Sequence, residues 1–175
     1  MSNPQLKTVR LHLRMMRLSD LDYLLKIFGD PKVMVSFDSD VFSREQMQHW
    51  VRKNMEHQNQ YGYGLFSVIL KSESILIGDC GIEHKLVGGA LEAELGYDFR
   101  SDYWNQGFAT EAASAVRDYA FKSLHLPRLI SLIRIGNRAS RRVAEKIGMR
   151  LAGKITQNGI LYWKYSMGGR SSTQE

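Results

Sequence analysis

The chain has 175 residues, of which 43% are hydrophobic and 24% are charged. This composition is typical of a folded globular chain, argues against disorder, and suits a single domain at this length. Lys and Arg outnumber Asp and Glu by 24 to 18, so the net charge of +6 suits an anionic or phosphate-bearing ligand without identifying one. The single cysteine, Cys80, excludes an internal disulfide framework and a cysteine-rich zinc site.

Nothing in the sequence indicates a membrane segment or a domain boundary. No apolar run approaches the ~20 residues that span a bilayer, and the first residues lack the pattern of a secretory signal. We therefore expect a soluble, cytoplasmic protein without a membrane partner. Residues 1–167 are predicted to form one domain, and residues 168–175 are predicted to be a flexible polar tail.

A strand and two helices are predicted at the start of the chain. Residues 9–16 carry alternating apolar side chains, which indicates a strand. Ser19 is a helix N-cap residue with Asp20 in the first turn, and Gly29-Asp30-Pro31 ends this first helix. Ser43, with a glutamine three residues later, forms a capping-box pattern for a second helix.

Three strand patterns follow, over residues 64–70, 75–82 and 90–99. In the third strand, apolar and polar side chains alternate, so the two sets point to opposite faces. The apolar set is predicted to face the core, and the polar set places two carboxylates on one surface. The apolar set is Leu91, Ala93, Leu95, Tyr97 and Phe99, and the polar set is Glu92, Glu94, Gly96 and Asp98.

The rest of the chain alternates helices and strands. Ala109, Ala112 and Ala113 follow helical spacing, and these small residues let the helix lie close to a sheet. A buried strand is predicted over residues 129–135, followed by a short helix over residues 141–146. The last two strands, 150–156 and 160–166, are joined by Gln157-Asn158-Gly159, a strong hairpin signal.

The turn around Gly107 is the strongest functional signal. A strand that ends near Phe99 delivers the chain to a helix N-terminus near Thr110. The unpaired N–H groups at such a terminus bind phosphate or diphosphate, and a glycine lets the backbone approach the anion closely. A glycine that only makes the turn explains the spacing equally well. Neither a Walker A motif nor the three-glycine dinucleotide fingerprint is present.

Three motifs occur in a fixed order along the chain. They are Glu94-Leu95-Gly96-Tyr97, the segment YWNQGFATEA at 103–112, and the segment NRASRRVAEKIGM at 137–149. Together they resemble the GNAT superfamily of acetyl-CoA-dependent N-acetyltransferases, and most of all its RimJ/RimL-like branch of ribosomal-protein N-terminal acetyltransferases. The resemblance covers residues 10–167. It implies a mixed α/β GNAT fold, with a central twisted, mostly antiparallel sheet, splayed parallel central strands and flanking helices.

The resemblance also implies where acetyl-CoA binds as a co-substrate. The strand over 90–99 is expected to part from its parallel neighbour, residues 129–135, with pantetheine in the gap. Pantetheine is expected to contact Asn137 and the backbone of Tyr97, Asp98 and Phe99. The diphosphate loop implied by the resemblance consists of Trp104, Asn105, Gln106, Gly107, Phe108, Ala109 and Thr110.

The predicted catalytic residues are Glu94, Glu92 and Ser140. An amine must lose a proton before it attacks a thioester, and Glu94 or Glu92 is predicted to take that proton. Two like charges on one strand face are expected to raise the pKa of one of them. We favour Glu94 and expect Glu92 to be a salt-bridged or solvated sheet residue. The resemblance places Ser140 near the thioester sulfur. It also places Ala144 where many superfamily members have a tyrosine that acts as the general acid. The leaving thiolate is then protonated by Ser140, by a water, or by no acid of the protein.

The predicted function is direct transfer of acetyl from acetyl-CoA to a primary amine in a ternary complex. The acceptor is a protein N-terminus or a small molecule, and acidic Asp38 and Asp40 would favour cationic acceptors such as a polyamine or an aminoglycoside; a free amino acid is a further option. The five histidines show no metal-ligand spacing and Cys80 is expected to be a buried hydrophobe, so no metal and no acyl-cysteine are predicted. A non-catalytic acyl-CoA-binding or nucleic-acid-binding module is the alternative, but the chain lacks an aromatic-basic stripe, so no nucleic acid is expected. The sequence leaves the oligomeric state open, a homodimer included.

Overall fold

The computed structural model of the protein describes residues 3–168, so all of the predicted polar tail except Gly168 lies outside the described residues. Within this range, one sheet of eight strands is covered by helices on both faces. The strands are β1 (Gln5–Lys7), β2 (Leu11–Met15), β3 (Leu65–Leu70), β4 (Ile75–Val87), β5 (Ala90–Phe99), β6 (Arg128–Arg134), β7 (Arg150–Gln157) and β8 (Ile160–Gly168). The α-helices are α1 (Leu21–Phe28), α2 (Pro31–Met34), α3 (Arg44–Tyr61), α4 (Phe108–Lys122) and α5 (Arg138–Lys146).

The sheet order is β1-β2-β3-β4-β5-β6-β8-β7. Neighbouring strands are antiparallel except β5 and β6, which are parallel and pair at a single position, Glu94 with Ile130. Beyond that pair the two strands part, and the C-terminal half of β5 has an open edge inside the sheet. The predicted mostly antiparallel sheet with splayed parallel central strands is therefore confirmed.

Local signals in the sequence fix several element ends. The predicted capping box starts α3, because Ser43 Oγ accepts from the Gln46 N–H at 3.2 Å and Gln46 Oε1 accepts from the Ser43 N–H at 2.8 Å. Between β7 and β8, Asn158 and Gly159 have φ angles of 50° and 77°, the left-handed values that a tight Asn-Gly hairpin turn needs.

The start of α1 differs from the prediction. A short 3-10 turn over Leu18–Asp20 precedes the helix, and Asp20 is buried. Its carboxylate accepts hydrogen bonds from the Arg14 guanidinium at 2.6 and 2.8 Å, from the Ser67 hydroxyl at 2.7 Å and from the Arg17 N–H at 2.9 Å. Asp20 therefore ties β2, β3 and the start of α1 together, because a buried carboxylate needs donors from several elements.

Two apolar clusters hold the helices on the sheet. On one face, the fully buried Ala112, Ala113 and Val116 of α4 belong to the same cluster as Ile82 of β4 and Leu95 of β5. The small side chains let α4 lie close to the strands, as their helical spacing predicts. Helices α1, α2 and α3 form the second cluster, which includes the fully buried Leu24, Ile27, Met47 and Val51. Because strand side chains alternate, the polar residues of β4 and β5 face away from α4.

The alternation in β5 predicts the wrong environment near the hairpin end. Leu91, predicted to face the core, is 62% exposed, and its cross-strand partner Leu86 is 67% exposed. Glu92 is only 6% exposed because Arg128 and Lys164 reach over it from β6 and β8. Alternation identifies which residues share a face, whereas the neighbouring elements decide which face is covered at each point.

No helix within residues 3–168 combines the length and the apolar composition needed to cross a bilayer.

Candidate active site

A cleft of about 880 Å³ lies where β5 and β6 part. Every predicted site residue lines this cleft except Gln106 and Glu92. The structure thus brings residues from β5, from the loop before α4 and from the start of α5 into one continuous space. One end of the space is the N-terminus of α4, and the other is enclosed by α1, α3 and the segment between them.

The N-terminus of α4 lies at one end of the cleft. Gly107 is the N-cap residue with a φ of 82°, and no side chain caps the helix. The Glu111 N–H donates to the Gly107 carbonyl at 3.0 Å. The N–H groups of Phe108, Ala109 and Thr110 come before this bond, so they have no partner inside the helix. Together with the helix dipole, three free donors form a site that favours phosphate groups.

Contacts from distant parts of the chain hold the loop before α4 in place. Arg10 donates from Nη1 to the Gln106 carbonyl at 2.9 Å and from Nε to Glu111 at 2.7 Å. This carbonyl is engaged by Arg10, and Gln106 shapes the loop without lining the cleft. Trp104 donates its indole N–H to the Phe99 carbonyl at 2.9 Å. Of the backbone groups predicted to contact pantetheine, the Phe99 carbonyl is therefore already engaged inside the protein.

The start of α5 is fixed to β5 by side chains of predicted site residues. Asn137 Oδ1 accepts from the Ser140 N–H at 3.1 Å and caps the helix. The Tyr97 hydroxyl donates to the Ser140 carbonyl at 2.6 Å, and burial raises the pKa of Tyr97. Only the backbone of Tyr97 is then available to a ligand at the strand edge. Ala144 is fully buried in the core.

The two predicted base candidates have different surroundings. Glu94 is 9% exposed, accepts at Oε1 from the Leu132 N–H of β6 at 3.2 Å, and has Oε2 2.6 Å from Lys85 Nζ. Glu92 does not line the cleft and pairs with Arg128 at 2.6 Å and Lys164 at 3.2 Å. Burial raises the pKa of Glu92, but the hydrogen bonds from Arg128 and Lys164 outweigh it and hold the pKa below its ordinary value. Glu92 is therefore a salt-bridged sheet residue, as expected from the sequence, because two cations surround it.

A second carboxyl pair, not predicted from the sequence, lies on β4 and β5. Asp79 lies directly opposite Asp98 in the β4–β5 register, is fully buried, and has no hydrogen-bond partner among the described residues. Burial raises the pKa of Asp79, and the charges of Asp98 and Glu83 add to the effect. Burial raises the pKa of Asp98 to about 7, against the opposing effect of Lys85. The signal was an aspartate inside an otherwise apolar strand, because a buried carboxyl costs stability and needs a compensating role.

The far wall of the cleft is aromatic. Phe28 of α1 and Trp50 of α3 lie with ring centroids 4.8 Å apart, and Phe37 is 6.1 Å from Phe28. The acidic groups expected near this wall, Asp38 and Asp40, do not line the cleft. Asp38 is exposed and pairs with Arg134 at 3.3 Å. The carboxylates that line the cleft instead come from β4 and β5.

Known proteins share this architecture and much of its sequence. The family described as "Acetyltransferase (GNAT) domain" matches residues 10–150. The uncharacterized protein YkkB of Bacillus subtilis is 36% identical over 152 residues, which cover 86% of this chain and 88% of that protein. The uncharacterized N-acetyltransferase YnaD of the same organism is 34% identical over 159 residues, which cover 89% of this chain and 90% of that protein.

Solved structures agree with these sequence matches. A GNAT-family acetyltransferase from Bacillus anthracis has a TM-score of 0.80 at 33% identity, covering 94% of this chain and 98% of that one. RimL, a ribosomal L7/L12 α-N-protein acetyltransferase solved with coenzyme A, has a TM-score of 0.74 at 19% identity, covering 95% of this chain and 98% of that one, and so shares the fold. The predicted family and the predicted enzyme class, an acyltransferase, are confirmed. On this evidence the chain belongs to the GNAT acetyltransferase family.

Proposed function

We propose that this protein transfers the acetyl group of acetyl-CoA to a primary amine within a ternary complex. One observation carries the proposal: the parted edge of β5 and the uncapped N-terminus of α4 open into a single cleft. A free strand edge pairs with the amide groups of an extended ligand, and a free helix N-terminus favours a diphosphate. The pantetheine and diphosphate parts of coenzyme A match these two features in this order. The shared fold of the coenzyme A-bound RimL structure supports the same donor.

In the proposed complex, the acetyl-CoA contacts are largely with the backbone. The backbone of Tyr97 and Asp98 pairs with pantetheine at the open edge of β5, and Asn137 contacts it from the start of α5. The diphosphate lies against the segment 104–110, on the N–H groups of Phe108, Ala109 and Thr110, which have no partner inside the helix. Because backbone donors are fixed by the fold, this half of the site is formed before the ligand arrives.

The acceptor amine approaches from the aromatic end of the cleft and loses its proton to Glu94, directly or through a water. The neutral nitrogen attacks the thioester carbon, the C–S bond breaks, and the electron pair leaves with sulfur. A backbone N–H of β5 stabilises the oxyanion that forms on the carbonyl oxygen. The amide nitrogen then loses its second proton to the departing thiolate. A free thiol has a pKa of ~8.5, so the thiolate leaves with little help; Ser140 is the side chain proposed near the sulfur.

The experiment has two parts. Calorimetry with coenzyme A tests the donor site, and acetyl-CoA consumption is then screened over peptides with free N-termini, polyamines, amino acids and aminoglycosides. We expect binding of coenzyme A and an acetylated amine product with at least one of these acceptors. Glu94→Gln is expected to lower kcat by about 100-fold with little change in the affinity for coenzyme A, since a positioned base contributes that much.

The same change at the exposed Glu56 of α3, Glu56→Gln, is the control for effects of charge alone. Absence of binding heat with coenzyme A would contradict the proposal as a whole. Binding without transfer would favour the non-catalytic acyl-CoA-binding module. An unchanged kcat in Glu94→Gln would remove this carboxylate from the mechanism while leaving the donor site intact.

A further inference from the structure

We propose that Asp98, with Asp79 opposite it on β4, binds a second positive charge on the acceptor, so that the preferred substrate is a dicationic amine. The inference rests on the proposed acetyl transfer and adds the chemical class of the acceptor.

The floor of the cleft has a carboxylate at each end and open space between them. Glu94, Gly96 and Asp98 alternate along β5, so they share one strand face, and all three line the cleft. No atom lies within 4 Å of the point where a Cβ of Gly96 would stand. A slender ligand can therefore lie over Gly96 with one end at Glu94 and the other at Asp98.

The two carboxylates differ in how they are compensated. Lys85 lies 2.6 Å from Glu94 and 3.3 Å from Glu83, so its charge is already shared between them. Asp98 takes part in no ion pair among residues 3–168. Of the remaining cations that line the cleft, Arg134 is held by Asp38 and the Phe37 carbonyl, and Lys32 lies on the short α2. Arg142 and Lys146 line it from α5, and neither forms an ion pair with Asp98 in the described chain. The Asp98 end of the floor thus has a carboxyl group without a cationic partner.

A second carboxyl group, that of Asp79, favours a cation at this end of the cleft. Its side chain is fully buried on the same face, opposite Asp98, and neither of its oxygens has a partner in the described chain. A carboxyl buried without a donor beside a second carboxyl is costly unless a proton or a cation compensates the pair. An ammonium group bound at Asp98 provides that compensation, whereas a neutral substrate tail leaves the cost in place.

The surroundings of the Asp98 carboxyl agree with a cation site. Burial raises its pKa to about 7, with Glu83 and Glu94 raising it further and Lys85 lowering it. The groups that face it are Asp79, Glu83 and Lys85 from β4 and Glu94 from β5. A bound cation favours the ionised carboxylate and lowers this pKa, so binding near pH 7 is expected to release a proton.

The spacing indicates the length of the acceptor. Four residues along a strand span about 13 Å, and two hydrogen bonds of about 2.8 Å leave about 7 Å between two nitrogens. A diamine with a chain of four or five carbons has this reach. Its methylene groups would lie against the aromatic wall formed by Phe28, Phe37 and Trp50.

The test compares 1,4-diaminobutane with n-butylamine, which has the same carbon chain and one charge. The readout is the ratio of the two kcat/KM values, with acetyl-CoA as donor, in the wild type and three variants. We expect a wild-type ratio of about 10 or more, because an added ion pair at a partly buried site gives at least that factor. Asp98→Asn is expected to bring the ratio close to 1, and Asp98→Glu to restore much of it. Glu94→Gln should lower both rates and keep the ratio.

A second readout does not depend on turnover. Calorimetry of 1,4-diaminobutane binding to the coenzyme A complex at pH 7, in two buffers of different ionisation enthalpy, is expected to show proton release in the wild type and none in Asp98→Asn. A wild-type ratio near 1, or an unchanged ratio in Asp98→Asn, would overturn the inference. So would acetylation of other amines in the screen but of neither probe. These outcomes leave the proposed function standing, whereas absence of coenzyme A binding would contradict both proposals.

Discussion

The two faces of the β4–β5 hairpin have the same backbone and opposite roles. The face toward α4 carries Ile82 and Leu95, which pack against the small residues of the helix and exclude water. The other face carries Glu94 and Asp98, which line the cleft. One face stabilises the fold, whereas the other holds partly buried carboxyl groups, which lowers the stability. The difference shows that one strand can serve both roles, because its successive side chains point to opposite faces of the sheet.

The first test of this comparison uses the face toward α4. Ile82 is fully buried, and Ile82→Ala is expected to lower the free energy of unfolding by about 2–5 kcal/mol, since it removes apolar contacts and leaves a cavity. Urea denaturation measures the loss. The neighbouring Glu83 points to the other face, and Glu83→Ala is expected to cost less than about 1 kcal/mol because its ion pair with Lys85 is partly exposed. Similar losses in both variants would contradict the assigned roles of the two faces.

On the face that carries Glu94 and Asp98, we expect a smaller effect on stability, and one that depends on pH. Burial raises the pKa of Asp79, so the folded state holds a proton that the unfolded chain releases as the pH rises above the ordinary value of 3.8. Stability contributed by this group is complete below that value and is lost as the pH rises toward the folded-state pKa. Asp79→Asn cannot ionise, and its stability relative to the wild type should rise by at least about 1 kcal/mol between pH 4 and pH 8.

Unfolding curves across this pH range provide the measurement. The difference in bound protons between the folded and unfolded states sets the slope of stability against pH. A constant difference in stability between the two proteins across the pH range would therefore show a change in packing alone. Parallel stability curves for wild type and Asp79→Asn would contradict an elevated pKa at Asp79.

The smallest expected effect comes from the place where α3 contacts β4. His57 Nδ1 lies 3.1 Å from the Tyr63 carbonyl, and its Nε2 accepts from the His84 N–H at 2.9 Å. Burial lowers the pKa of His57 despite the nearby charge of Glu83. The neutral ring fits both contacts, whereas a second proton on Nε2 would face the His84 N–H.

Because the folded-state pKa of His57 is depressed, its contribution is complete above the ordinary value of 6.5 and is lost as the pH falls below it. His57→Gln should therefore reduce the loss of stability between pH 7.5 and pH 5.5 by less than about 1 kcal/mol, because the ring is partly exposed. Thermal unfolding at the two pH values measures it. His49→Gln, at an exposed position of α3, is the control, and equal changes in both variants would exclude a specific role for His57.

Local chemistry made much of the fold predictable. The Ser43 capping box, the Asn158-Gly159 turn and the bounds of β5 depend on residues close in sequence, and the structure confirms all three. The motifs at 94–97, 103–112 and 137–149 carried the family, and the cleft contains nearly all of the predicted site residues. The uncapped start of α4 at Gly107 was predictable for the same reason, since a glycine before a helix favours the left-handed backbone conformation found there.

What the sequence could not supply were the partners of each charge. Glu92 and Glu94 look equivalent on an alternating strand, but Arg128 and Lys164 enclose the first while Lys85 and the Leu132 N–H hold the second. Asp38 and Asp40 looked suited to a cationic acceptor, yet Asp38 instead pairs with Arg134 at the surface. Asp79 and Asp98 are nineteen positions apart and become neighbours only through the β4–β5 register.

The sequence by itself determined most of the elements, several of their caps and turns, and the family, because hydrophobic period and backbone preference act over a few neighbouring residues. The tertiary structure alone decided which carboxylates are neutralised, which line the cleft and which are left buried without a partner. The physical reason is that the energy of a charge depends on the groups and the solvent that surround it in space, and those surroundings are assembled from strands and helices far apart along the chain.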